Sequence, residues 1–263
     1  MSGLASCSIE RKIAREYIEK DHSRSLLVIP PRFIYKVSLK EWQIDSAEML
    51  TGSEIDSLLF EQSLYLKYIN DSAFLDYYVS NFIAEMEGYG FEVYVEDSLS
   101  AFLTGKNKAF IVNMAQLELE EYVMPVKEEE EFGGYIYYEV IDLNAVNLNS
   151  WFEISRVNGD ENVELFFSSM YATDGLDGLF KYNYFTGEVL FQYEIDTLTL
   201  NAIYRLGALA GYTYAGYTFD YLMNNYIDKR MQEEGRYRSD IYYHYNRQQR
   251  YLTPANNRFI PMK

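Results

Sequence analysis

Hydrophobic and polar residues follow patterns that predict strands first and helices after them. The apolar run at 25–31 ends in two prolines, which is typical of a buried strand, and residues 33–39 alternate as a second strand. Apolar side chains then recur at helical spacing in 55–66 and in 75–86. Asp71-Ser72 precedes the second helix as its expected N-cap.

The middle of the chain is predicted to consist mainly of strands. Residues 91–95 alternate between apolar and polar, and a short capped helix follows at 98–103. Thr186-Gly187 joins two alternating segments, 180–185 and 188–195, which predicts a hairpin. Further strands are predicted at 108–123, 135–146, 148–157 and 163–171, and a turn at 174–178.

A long helix is predicted at 200–232. Gly207, Gly211 and Ala215 recur every four residues, so one helix face is nearly bare and permits the close approach of another element. The many tyrosines and threonines make this segment too polar for a membrane span, which favours a packed core helix. The sequence therefore predicts an α/β (α+β) fold, with a mixed, largely antiparallel sheet packed by helices and a long C-terminal helix.

Composition narrows the class of function. The 263 residues carry a net charge of −17, which disfavours nucleic acid as a partner because the chain repels phosphates. The single cysteine, Cys7, excludes an intrachain disulfide and a thiolate metal cluster. Because His22 and His244 are the only histidines, a two-histidine zinc site would need both.

The N-terminal residues suggest a membrane anchor. Leu4-Ala5-Ser6-Cys7 resembles the lipobox of bacterial lipoproteins, in which an aliphatic residue and two small residues precede a cysteine that becomes acylated. The resemblance implies lipidation at Cys7 and attachment to the outer membrane, and we expect the periplasmic leaflet. Acyl chains contribute about 0.8 kcal/mol per buried CH₂, so several of them form a stable tether.

The C-terminal segment differs from the rest of the chain in charge. From Lys229 to Lys263 there are eight basic and three acidic residues, a net charge of +5, while residues 1–228 carry −22. Arginines beside aromatic side chains are typical of interface hot spots. The segment either binds a partner or wraps its own acidic domain. The candidate partner-binding residues are Arg236, Tyr237, Arg238, Tyr242, Tyr243, Tyr245, Arg247, Arg250 and Tyr251.

Sequence motifs for catalysis are absent. The chain contains no Ser-x-x-Lys, Gly-x-Ser-x-Gly or Walker motif, and a Ser-His-acid triad would need one of the two histidines. Glu118, Glu120, Glu121 and residues 128–131 are interpreted as a wet strand edge and a solvated loop. We therefore predict no enzyme activity and no cofactor or metal.

The order of predicted elements resembles the small α/β domains of envelope lipoproteins, including auxiliary lipoproteins of transport systems and the N-terminal domain of the Tol translocation protein. An early apolar strand that ends in proline, here 26–31, precedes a long helix, and a late strand carries Thr186-Gly187-Glu188. The similarity covers about 23–230 in architecture. It carries over no catalytic residue.

These observations predict a lipid anchor and tether at 1–22, one α/β domain at 23–232 and a basic, tyrosine-rich tail at 233–263. The leading hypothesis is a non-enzymatic, lipid-anchored scaffold in an outer-membrane complex for protein assembly, transport or secretion. One alternative is a glycan-binding lipoprotein of a nutrient-uptake system that uses Trp42 or Trp151. Another is an envelope hydrolase with two carboxylates about 5–10 Å apart.

Overall fold

The computed structural model describes residues 9–19, 24–40, 52–105, 108–157 and 163–262. Within these residues, the helices are α1 (Ile9–Glu19), α2 (Gly52–Gln62), α3 (Asp71–Gly88), α4 (Leu99–Thr104) and α5 (Leu200–Glu233). The strands are β1 (Arg24–Ile29), β2 (Tyr35–Ser38), β3 (Phe91–Val95), β4 (Lys108–Phe132), β5 (Tyr135–Arg156), β6 (Glu164–Thr173), β7 (Gly175–Tyr182), β8 (Val189–Asp196), β9 (Tyr243–Asn246), β10 (Tyr251–Pro254) and β11 (Ile260–Pro261).

Seven strands form one mixed sheet in the order β11-β6-β5-β4-β1-β3, and β2 pairs with β4 beyond the end of β1. β1 runs parallel to β3 and β4, and β2 runs parallel to β4. The longer pairings, β4 with β5 and β5 with β6, are antiparallel, as is β6 with β11. The predicted fold class is therefore confirmed, including the long C-terminal helix.

One face of this sheet carries the main core. Leu26 and Val28 of β1, Leu119 of β4 and Phe152 of β5 are buried there together with residues of α3 and α5. On the opposite face, α4 covers part of the sheet, where Phe102 contacts the ring of Tyr94 edge-on with 5.7 Å between centroids. Because side chains of a strand alternate between the two faces, the burial of five successive residues means that β1 is covered on both sides here.

Two glycines allow α5 to lie unusually close to α3. A Cβ atom at Gly211 would lie 2.0 Å from the backbone oxygen of Tyr78, and one at Gly207 would lie 2.9 Å from the ring of Phe74. Tyr78, Phe74 and Phe82 are fully buried in this contact. The bare helix face predicted from the sequence is thus the face that packs on α3.

Several local predictions need correction. The N-cap of α3 is Asn70, whose Oδ1 accepts the amide hydrogen of Ala73, rather than the predicted Asp71-Ser72. The predicted turn at 174–178 is wrong because β7 begins at Gly175, directly after Asp174. Strands predicted separately at 135–146 and 148–157 form the single strand β5, and β4 continues well past its predicted end.

The long helix agrees with its prediction as a core helix. Its N-cap is Thr199, whose Oγ1 accepts a hydrogen bond from the amide of Ala202. Residues such as Tyr214, Phe219 and Met223 are buried against the rest of the domain. None of the helices formed by the described residues combines the length and hydropathy that crossing a bilayer requires.

Replacing Gly211 by alanine tests the close contact between α3 and α5. The added methyl would collide with backbone that cannot rotate away, so Gly211→Ala is expected to lower the free energy of unfolding by about 1–3 kcal/mol or more. Gly216→Ala is the matched control, because its Cβ would meet only Tyr89 Oη at 3.5 Å. There, helix propensity predicts an unchanged stability or a gain of up to about 1 kcal/mol. Urea denaturation measures both, and equal effects would contradict the contact.

Candidate functional site

Glu121 lies in β4 with its carboxylate completely buried. Its Oε1 accepts hydrogen bonds from Lys40 Nζ at 2.9 Å and from the amide of Leu64 at 2.8 Å. Its Oε2 accepts the amide hydrogen of Tyr65 at 2.9 Å. The prediction of a wet strand edge at Glu121 was wrong, because β4 is an interior strand at this position, with β2 on one side and β5 on the other.

Asp174 extends the same polar cluster. Lys40 Nζ also donates to Asn144 Oδ1 at 3.0 Å, and Asn144 donates from its amide and from Nδ2 to Asp174 Oδ2 at 2.8 and 2.9 Å. Asp174 Oδ1 accepts the amide hydrogen of Leu198 at 2.7 Å. We call Lys40, Glu121, Asn144 and Asp174 the carboxylate junction. It connects β4 and β5 with the segments before α2, α3 and α5.

Two hairpins leave the sheet at this junction. Beyond Glu121, β5 is the one strand of the described residues that pairs with β4, and the pairing of β5 with β6 ends at Ala145 and Thr173. The next residue is Asp174, after which β7 starts the second hairpin. Burial, together with the carboxylates of the junction, raises the pKa of Tyr65 to about 12, so its phenol stays protonated beside them.

The first hairpin, which we call the arm, comprises residues 122–144 of β4 and β5. Gly133 and Gly134 form its two-residue turn with φ of 62° and 84°, the left-handed geometry that glycine adopts without strain. None of the side chains from 125 to 140 is buried. The arm therefore projects from the domain as a two-stranded ribbon.

One face of the arm carries an exposed apolar stripe on β5. Its residues are Ile136, Tyr138 and Val140, which are 68, 64 and 50% exposed. The residues directly opposite them on β4 are charged: Glu131, Glu129 and Lys127. Residues 125–142 contain six carboxylates and one lysine, a net charge of −5. The arm is therefore both apolar and strongly acidic.

The second hairpin, formed by β7 and β8, has one apolar face and one face on which charged and apolar residues are mixed. Phe180 lies opposite Phe191, and alternation places Leu176 and Ile195 on the same face. Asp177 lies opposite Glu194 on the other face. At the tip of this hairpin two further aromatic side chains project into solvent: Tyr184 is 89% exposed and Phe185 is fully exposed.

The two hairpins contact each other beyond the junction. Phe132 of the arm stacks on Tyr182 of the second hairpin, with 5.9 Å between ring centroids and 15° between their planes. An isolated two-stranded hairpin is only marginally stable in water, so this contact and the junction support both ribbons. Clustered exposed apolar side chains mark interaction sites on soluble domains. We therefore take the two hairpins as the candidate functional site.

Five of the tail residues predicted to bind partners contact the chain's own domain. Arg247 donates from Nε and Nη2 to the carboxylate of Glu85 at 3.1 and 2.6 Å. Arg238 donates to the backbone and side chain of Asn224 and forms an ion pair with Asp228. The other three are Tyr242, Tyr243 and Tyr245.

These three tyrosines fix the tail against α5 and α1. Tyr243 is buried and donates from its hydroxyl to Glu10 of α1 at 2.9 Å. Tyr245 packs on the ring of Phe219, with 5.8 Å between centroids. Tyr242 lines a cavity of about 450 Å³ between the tail, α5 and β6. The segments predicted as tether and tail thus contact each other as well as the domain.

The remaining four candidates of the tail lie at the surface. Tyr237 is 87% exposed, and Arg236 pairs with Glu234 through Nε at 3.2 Å. Arg250 sits in a turn with φ of 54°, and Tyr251 begins β10 with about half of its surface exposed. The contacts of the structure therefore divide the predicted set into an inward and an outward group.

Other candidates from the sequence lie apart from the hairpins. Cys7, His22 and Trp42 are outside the described residues. Trp151 is half-buried in β5 and contacts the ring of Phe167, with 5.1 Å between centroids. Across the described ranges, no three histidine, cysteine, aspartate or glutamate side chains gather as a metal site.

His244 of the tail and Asp220 of α5 form a close pair of titratable side chains. His244 Nδ1 lies 2.6 Å from Asp220 Oδ2, and the amide of Tyr245 donates to Asp220 Oδ1 at 2.9 Å. Its hydrogen bond to Asp220 raises the pKa of His244, against the opposing effect of burial. Burial raises the pKa of Asp220, although both hydrogen bonds oppose that shift. The pair anchors β9 to α5.

No protein-family model matches this chain, and the search of curated proteins finds no significant match. The interpretation of the site therefore rests on its geometry.

Sequence reasoning assigned no functional role to the residues of the two hairpins. The second hairpin was predicted, although residues 183–188 connect its strands and Thr186-Gly187 is only part of that connection. The arm was divided between a strand and a solvated loop at 128–131. The signal that could have found it is Gly133-Gly134 between two long strand patterns, because adjacent glycines favour a two-residue hairpin turn. Each glutamate of 128–131 is paired with a residue of β5.

The pair of His244 and Asp220 predicts a pH dependence of stability. Because the folded pKa of His244 is raised, its stabilising effect is complete below the unfolded pKa of about 6.5 and is lost as pH rises through the folded value. The free energy of unfolding of the wild type should therefore fall over this range. In Asp220→Asn the fall should disappear, whereas in His22→Gln it should persist. Urea denaturation across this pH range measures it, and a wild-type stability that rises with pH would contradict the assignment.

Proposed function

We propose that this chain is a non-enzymatic scaffold that binds a protein partner at a bacterial outer membrane, within a complex for protein assembly, transport or secretion. The observation that carries the proposal is the exposed aromatic and acidic surface of the two hairpins. A rigid domain that ends in two exposed ribbons has the form expected of an interaction module. Large aromatic side chains such as Tyr138 and Phe185 supply most of the binding energy in such interfaces.

The charge of the arm favours a protein over a membrane as its partner. With a net charge of −5, residues 125–142 are repelled by anionic lipid headgroups. Glu128 and Glu139 are directly opposite each other on the arm, which is unfavourable for the isolated ribbon. A partner that places cationic side chains near them relieves this repulsion. Complementary charges of this kind also accelerate association.

The tether supports the proposal independently. The lipobox-like Leu4-Ala5-Ser6-Cys7 would confine the domain to the membrane surface through Cys7. Tethering raises the effective concentration of a partner in the same membrane without any new contact. The outward group of the tail, Arg236, Tyr237, Arg250 and Tyr251, offers further exposed side chains for a partner, and it is the accessible part of the set that the sequence favoured.

Site-specific photo-crosslinking in the native cell tests the proposal. A benzophenone amino acid replaces Tyr138 on the arm, Phe185 on the second hairpin, Tyr237 on the tail or Leu103 on α4 as an exposed control. We expect Tyr138 and Phe185 to capture the same envelope protein and Leu103 to capture none. In a Cys7→Ser chain, the yield at both hairpins should fall because the effective concentration falls.

The pattern of crosslinking distinguishes the hairpins from the tail as the binding surface. Capture from Tyr237 alone would move the interface to the tail and contradict the role of the hairpins. An unchanged yield in Cys7→Ser would show that the tether does not contribute. Capture at Leu103 equal to that at the hairpins would indicate contact without specificity and would also contradict the proposal.

A further inference from the structure

A small cavity lies at the start of β1, where this strand pairs with the first residues of β4. It has a volume of about 160 Å³ and is bounded by the end of α1, the start of β1, the turn after α3, the middle of α5 and the tail. Its lining residues include Arg24, Tyr89, Phe219, Tyr245 and Arg247. None of these belongs to the two hairpins, so the cavity is independent of the proposed interface.

Arg24 is the unusual member of this lining. Arg24 is only 5% exposed. Its Nε and Nη1 have no hydrogen-bond partner within the part of the chain that the structure describes. In that part, no carboxylate lies within ion-pair distance of it. Its guanidinium instead lies 4.1 Å from the ring centre of Tyr17 and 5.0 Å from that of Phe91. A buried cation without a counter-charge is costly, and aromatic rings offset only part of that cost.

The other cation of the cavity is already neutralised. Arg247 holds Glu85 with two hydrogen bonds, and its guanidinium lies 5.7 Å from the ring centre of Tyr89. Glu19, the one carboxylate named in the lining, is exposed to solvent at the end of α1. The charge that is left without compensation at this cavity is therefore that of Arg24.

The walls beside Arg24 are aromatic. Tyr89 stacks on Phe219, with 4.2 Å between centroids and 15° between planes, and Tyr245 packs against the same ring. Gly88 and Gly90, which flank Tyr89, complete the lining. The volume is below the range of about 300–1,000 Å³ that holds drug-sized ligands, so the occupant must be small. A planar apolar body with one negative group matches these walls.

We propose that this cavity binds a small organic carboxylate, which supplies the counter-charge of Arg24 and packs its apolar part against the cluster of rings formed by Tyr89, Phe219 and Tyr245. Guanidinium groups favour carboxylates because their planar donors match the two carboxylate oxygens. Binding would also stabilise the contacts of the tail with α5, because Tyr245 belongs to the tail and Phe219 to α5.

Titration of the ¹⁵N-labelled full chain with sodium benzoate tests the proposal, with sodium chloride at matched ionic strength as the reference. Gly88 and Gly90 line the cavity, so their amides serve as reporters of binding. We expect a saturable shift of both amides and a higher thermal midpoint at saturating benzoate. Arg24→Met, which keeps an apolar side chain among the rings, should bind benzoate at least about tenfold more weakly. Arg205→Met, at an exposed position of α5, should bind as the wild type does.

Three results would overturn the proposal. One is the absence of a saturable benzoate shift at Gly88 and Gly90, and another is an equal benzoate affinity in Arg24→Met. The third is an equal affinity for inorganic phosphate, because the aromatic walls would then contribute nothing. If Arg24→Met does not fold, intermolecular NOEs between benzoate and the rings of Tyr89 and Tyr245 in the wild type decide the question, and their absence overturns the assignment.

Discussion

A buried carboxylate must be compensated, and in this domain that requirement determines how distant segments meet. Glu121 is surrounded by Lys40 and by the amides that precede the short 3₁₀ helix at Leu66–Tyr68. Asp174, which follows β6, accepts hydrogen bonds from Asn144 of β5 and from the amide of Leu198 just before α5. Removing one partner of such a buried pair typically costs about 3–5 kcal/mol, because the other charge stays buried without compensation. A conformation that separates these groups therefore leaves a charge buried without compensation.

The position of this junction explains the shape of the molecule. On the side of the junction where β1 and β3 lie, α3 and α5 cover the sheet and form an apolar core with it. On the other side of the junction, β4 and β5 form one ribbon and β7 and β8 form another, and the side chains of both ribbons are largely exposed. The ribbons leave the sheet next to the buried, hydrogen-bonded carboxylates of Glu121 and Asp174, so the junction orients them. A surface held in this way loses less conformational entropy when a partner binds.

The sequence was informative where a local pattern decides the structure. The bare face of α5 at Gly207 and Gly211 needs only helical periodicity to be recognised, and the second hairpin needs only the two alternating segments on either side of Thr186-Gly187. Glu121 could not be recognised in this way. It stands beside Glu118 and Glu120, which are only half-buried, and its burial depends on Lys40, which is 81 positions away in the chain.

The candidate site shows the same limit. The charge and aromatic content of the tail were visible in the sequence, but the inward positions of Arg238 and Arg247 depend on Asn224 and Glu85 in other elements. The apolar stripe of the arm depends on which residues of β4 and β5 are paired, because the register decides which side chains share a face. Composition alone favoured the tail as the interaction site, whereas the pairing of the strands indicates the two hairpins.

The most direct test of the junction is amide hydrogen exchange in the full chain. The amides of Leu64, Tyr65 and Leu198 lie outside the sheet ladders, yet they donate to the buried carboxylates of Glu121 and Asp174. They should exchange as slowly as the amide of Leu26 in the central strand β1, through global unfolding. Exchange of these three amides as fast as that of Gly133 at the tip of the arm would contradict the account.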